Sequence, residues 1–122
     1  MKAATLLQLL LASLWAVPAR AHAILIDSTP PIHGTVPPGY DAITLKFNSR
    51  IDRERSRLTL ITADKTQTKL PIVGDGPADI MTATADLTPG DYTVRWQVLA
   101  VDGHITRGDV PFTVADPQAT RR

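Results

Sequence analysis

From Ile43 onward the apolar residues of this 122-residue chain return at every second position: Ile43, Leu45 and Phe47; Leu58 and Leu60; Tyr92, Val94, Trp96 and Val98; Val110, Phe112 and Val114. Between them stand Thr44, Lys46 and Asn48, then Thr59, then Thr93, Arg95 and Gln97. A repeat of two puts the apolar set on one face of an extended chain, whereas a helix would repeat near 3.6. Shorter candidate strands run from Ala23 to Ser28, Lys69 to Val73 and Ile80 to Ala85. Turn-forming clusters separate them, at Thr29-Pro30-Pro31, Val36-Pro37-Pro38-Gly39, Gly74-Asp75-Gly76-Pro77 and Pro89-Gly90-Asp91. About seven short strands at this spacing predict an all-β fold, a two-sheet sandwich or a small Greek-key β-barrel. The charge-dense run Arg50 to Arg57 reads as a solvated connection. The chain has no cysteine, so no disulfide framework holds the fold and the apolar pattern must do so.

Two local features fit a sandwich. Leu87-Thr88-Pro89-Gly90-Asp91-Tyr92 sets a tyrosine just past a Pro-Gly turn, at the start of the longest expected strand, the arrangement of a tyrosine corner. Trp96, on the same strand face, is the expected large central side chain of the core.

The N-terminal end has the ordered parts of a secretory signal: Lys2, an apolar run from Leu6 to Val17, then Pro18-Ala19-Arg20-Ala21 with small residues at −3 and −1. The run holds 12 residues, short of the ~20 a membrane span needs. Residues 1–21 are therefore expected to be a cleaved leader and residues 22–122 a single domain, with a frayed tail from Ala115 to Arg122. Without Lys2 and Arg20 the domain carries 11 basic against 12 acidic residues, which gives no electrostatic case for nucleic acid or a membrane surface.

Cleavage after Ala21 makes His22 the first residue. Its free α-amine and imidazole Nδ1 form a chelate, and an α-amine sheds its proton near pH 7.7–8.0, far more readily than a lysine. Asp102-Gly103-His104 follows the long strand, where residues two apart in an extended segment share a side and Gly103 lets the backbone bend between them. With no thiol available, two nitrogens from His22, one from His104 and an Asp102 oxygen make the nitrogen and oxygen set that copper(II) prefers. The expected metal ligands are thus His22, Asp102 and His104.

These residues resemble a known family. His22-Ala23-Ile24-Leu25, Ser28-Thr29-Pro30-Pro31 with Gly34, Ile43-Thr44-Leu45-Lys46-Phe47, Tyr92-Thr93-Val94-Arg95-Trp96, Val98 to His104, then Gly108 and Phe112-Thr113-Val114 are similar to the CopC family of periplasmic copper proteins. The resemblance implies a cupredoxin-like or immunoglobulin-like fold and copper(II) binding, one ion per chain, through His22, Asp102 and His104. It also implies a periplasmic carrier or sequesterer in copper homeostasis and resistance, not an enzyme, monomeric, with a CopD-type inner-membrane importer as partner.

The chain departs from the family pattern in places. Some members hold copper(I) in a methionine-rich segment, but beyond the leader this chain has only Met81, expected to fill the core, so no copper(I) site is expected. An acidic residue often follows the Phe of the second strand; here Phe47-Asn48-Ser49 leaves any hydrogen bond from it absent or supplied by Ser49. Ile105 stands where proline is common, a change of little expected weight, and His33 is expected to be a solvent-facing loop residue. The alternative function is a copper-dependent oxidase or monooxygenase, which uses the same terminal-histidine chelate. Against it stand the short chain, the few aromatic residues and a carboxylate filling a position that oxygen activation needs open. An adhesion-like sandwich with incidental histidines is the remaining possibility.

Overall fold

Every element in the structure, a computed structural model that describes residues 22–116, is a β-strand. The expected leader and most of the expected frayed tail lie outside the described residues. A three-stranded sheet is formed by β1 (Leu25–Thr29), β3 (Ala42–Phe47) and β6 (Ile80–Thr84), in the order β1-β3-β6. A five-stranded sheet is formed by β2 (Gly34–Val36), β4 (Ile51–Thr62), β5 (Gln67–Leu70), β7 (Gly90–Ala100) and β8 (Ile105–Val114), in the order β2-β8-β7-β4-β5. All pairings are antiparallel except β2 with β8. This is the expected all-β sandwich.

The alternation read from the sequence is the inside face of both sheets. Ile43, Leu45, Phe47, Met81 and Ala83 of the smaller sheet are buried, as are Leu58, Leu60, Val94, Trp96, Val98, Val110, Phe112 and Val114 of the larger. Each large apolar side chain so buried contributes about 1.5–3 kcal/mol relative to exposure, set against the entropy of ordering the chain. Phe47 and Trp96 meet edge to face between the sheets, ring centroids 5.2 Å apart. Met81 is fully buried opposite Leu45, a core position. The tyrosine corner is present: the Tyr92 hydroxyl donates to the Thr88 carbonyl at 2.8 Å and accepts from the Thr88 amide at 3.2 Å.

Three expectations need correction. Arg50 to Arg57 is no solvated connection: all but Arg50 belong to β4, which at 12 residues outruns β7 as the longest described strand. Its pairing with β7 shifts register between Asp52 and Arg57, and a bulge of this kind breaks the alternation that would have announced a strand. The buried Ser56 stabilises the irregularity, donating to the Asp52 carbonyl at 2.5 Å and accepting the Leu99 amide at 3.2 Å. Arg53 is held too, its guanidinium donating to the carbonyls of Gly76, Pro77 and Ile80. Second, the candidate strand Lys69 to Val73 ends at Leu70, because Pro71 has no amide for the ladder; Val73 then donates to Thr82 of β6, in the other sheet. Third, β2 is an additional three-residue strand, boxed in by prolines and too short to show a period.

Candidate metal centre

The β7–β8 hairpin turns at Val101-Asp102-Gly103, and this turn sets two of the three expected ligands. Gly103 has φ +90°, a backbone conformation that side chains disfavour, and its amide donates to the Ala100 carbonyl at 2.9 Å. Asp102 and His104 meet through the expected bend at Gly103 rather than by sharing a strand face, the carboxylate folding back within the turn. Asp102 Oδ1 accepts the His104 amide at 3.0 Å and Oδ2 lies 2.8 Å from His104 Nδ1.

Electrostatics fix the roles in that pair. The hydrogen bond from the His104 amide, then that from its ring, hold the Asp102 carboxyl below its ordinary 3.8, with smaller help from the charges of His104 and His22. An ionised carboxylate only accepts, so the neutral His104 ring places its proton on Nδ1 and leaves the Nε2 lone pair free.

His22 arrives from the start of the chain. Its ring is edge-on to that of His104, centroids 4.6 Å apart, and one ligating atom from each of His22, Asp102 and His104 lies within 4.8 Å of the others. Donors on one ion at bonds of about 2.0–2.2 Å, as for zinc, stand roughly 3–4 Å apart, so the three atoms would draw together to share one. His22 is half-buried while Asp102 and His104 are exposed, which leaves the cluster open to solvent.

The remaining residues singled out in the sequence lie elsewhere or do less. His33 is exposed in the turn before β2, with φ +61° and its amide donating to Pro111 at 2.6 Å. It lines a surface cavity of about 460 Å³ with Asp91, Tyr92 and Phe112, at the end of β7 and β8 away from the cluster. The Ser49 hydroxyl is buried and has no hydrogen-bond partner among the described residues, so among them it does not replace the family's acid. Instead Asn48 reaches the N-terminal segment: its Oδ1 accepts the Ile24 amide at 2.8 Å and its own amide donates to the Ile24 carbonyl at 2.9 Å. Thr106 does the same from β8, its hydroxyl donating to the Ala23 carbonyl at 2.7 Å. Sequence reasoning missed both, since a lone Asn and Thr near strand ends carry no signal of their own.

Fold and cluster together define a β-sandwich with two histidines and a carboxylate, placed so that they could hold a metal ion, gathered at one end. The chain belongs to the CopC family: residues 25–115 match its domain. It is 35% identical over 99 residues to Protein YobA of Escherichia coli strain K12, covering 77% of this chain and 79% of that protein. It is 30% identical over 125 aligned positions to Copper resistance protein C of Xanthomonas campestris pv. juglandis, covering 91% of this chain and 94% of that protein. Among solved structures, CopC from Methylosinus trichosporium OB3b superposes with a TM-score of 0.73 at 24% identity, over 79% of this chain and 96% of that one. PcoC, a methionine-rich copper resistance protein of Escherichia coli, superposes with a TM-score of 0.68 at 22% identity, over 78% of this chain and 100% of that one. At these identities the two structures bear on the fold alone.

Proposed function

We propose that this protein binds one copper(II) ion per chain at His22, Asp102 and His104, and carries or sequesters it in the periplasm after removal of residues 1–21. The observation that carries the reading is the meeting of His22 with the Asp102–His104 pair, from opposite ends of the sequence. His104 offers a ring nitrogen, Asp102 a carboxylate oxygen, and His22, once first in the chain, its amine and Nδ1. Nitrogen and oxygen donors without sulfur suit copper(II) rather than copper(I). The related protein named for copper resistance supports copper as the ion.

The protein acts as a monomer, without catalysis, and hands copper to a membrane importer of the CopD type. The oxidase reading gains nothing from the fold: Phe47, Tyr92, Trp96 and Phe112 are buried, so among the described residues they build no flat aromatic face for a polysaccharide. Isothermal titration of protein beginning at His22 is expected to give one tight copper(II) per chain. His22→Ala, Asp102→Asn and His104→Ala each weaken it, and so does an added residue before His22, which turns the amine into a peptide nitrogen. Equal affinity with and without that extra residue overturns the proposed chelate.

A further inference from the structure

The three residues that bring His22 to the cluster lie outside any strand. Regular pairing of β1 with β3 starts at Leu25 opposite Phe47, and even there the register shifts before Asp27. A sheet ladder therefore fixes nothing upstream of Leu25. What holds residues 22–24 is the burial of Ala23, 1% exposed, and three hydrogen bonds: Thr106 to the Ala23 carbonyl, and the two-way pair between Asn48 and Ile24.

These anchors differ in what they are tied to. Asn48 follows β3 directly and secures the segment to the smaller sheet. Thr106 lies on β8, two residues past His104 and paired with Val98 of β7. Its bond to Ala23 thus links the residue after His22 to the same hairpin arm that carries the other two ligands. The segment is fastened on both sides of the sandwich within two residues of the ligand.

We infer that Thr106 and Asn48 are positioning residues for the copper site: they hold the Ala23 and Ile24 backbone so that His22 meets Asp102 and His104 before the ion arrives. The inference rests on the copper reading above. An unfastened chain end would have to be ordered by the ion itself, and that ordering lowers affinity. Outer partners that orient metal ligands are typically worth 10–100-fold in affinity.

Thr106→Val keeps the shape of the side chain and removes only the hydroxyl. In protein beginning at His22 it is expected to weaken copper(II) binding about 10-fold, measured by competition with a chelator of known affinity. Thr106→Ser, which keeps the donor, restores it. Asn48→Ala weakens binding in the same direction, and electron paramagnetic resonance of both weakened variants shows a population with fewer nitrogen ligands. The decisive control is the His22→Ala background in protein carrying one extra residue before position 22, where neither the imidazole nor the free amine remains, so Thr106→Val has nothing to position and is expected to change affinity less than about 2-fold. An equal loss in that background shows a merely structural role and overturns the inference. Unchanged affinity and spectrum in both Thr106→Val and Asn48→Ala overturn it too, while leaving the copper reading intact. A wild-type protein with no affinity for copper overturns both together.

Discussion

Gly108 faces Trp96 across β7 and β8, and the ring occupies the space that a side chain there would need. A Cβ added at Gly108 comes to 2.4 Å from Trp96 Cζ2, 2.7 Å from Cε2 and 2.9 Å from Nε1. These are atoms of a rigid ring, and the ring is closed in by Phe47 from the opposite sheet, so it cannot swing aside as a flexible side chain would. Overpacking of this kind costs about 1–3 kcal/mol, and the ring contact puts Gly108→Ala at the upper end. Replacing a strand glycine by alanine returns about 0.5–1 kcal/mol through the unfolded chain, which leaves a net loss of roughly 2 kcal/mol. For a domain of this size that lowers the melting temperature by about 8–16 °C. In protein beginning at His22, Trp96 is the sole tryptophan, so its fluorescence follows the melt directly. In a Trp96→Leu background, measured by circular dichroism, Gly108→Ala is expected to be neutral or stabilising. A Gly108→Ala protein that melts at or above the wild-type temperature would refute the packing argument.

Tyr92→Phe removes the phenol that both accepts from and donates to Thr88. It is expected to cost about 1–2 kcal/mol, readable as a lower urea midpoint, and to leave copper stoichiometry unchanged. Asp64 provides a pH test remote from the metal centre. Hydrogen bonds from the Thr62 and Thr66 side chains, then from the Thr66 amide, hold its carboxyl below 3.8. A carboxyl lowered on folding stabilises the protein above its unfolded value and loses that contribution as pH falls through the folded one. The stability difference between wild type and Asp64→Asn is therefore expected to be constant above about pH 5 and to shrink below about pH 4, in urea titrations across that range. A difference that grows on acidification would reverse the assignment.

Where one face of a strand is buried, the sequence announced it, and β3, β7 and the second half of β8 were legible for that reason, whereas Ile105 to Asp109 has no buried residue to mark it. The first half of β4 was not, because it carries a bulge and a guanidinium bonded to loop carbonyls, neither of which leaves an apolar period. β2 pairs through three residues, fewer than a period requires. At the candidate site the residue types were legible because metal chemistry restricts them so tightly. Their manner of meeting was not. A folded-back carboxylate in a turn and an alternating strand both bring residues two apart together, and only the positive φ of Gly103 and the Asp102–His104 bonds distinguish the two. Asn48 and Thr106 escaped notice because their partners are backbone groups far away in sequence.

The bond between Thr106 and Ala23 joins positions 83 residues apart. Most of the chain is thereby drawn into a ring fastened at one point, and an ion shared by His22 and His104 would bolt that fastening. The amine an exopeptidase must grip to begin its work is the one the proposed chelate consumes. Loaded protein would then be guarded twice against trimming from its first residue, by the burial of Ala23 behind it and by the ion that occupies its amine.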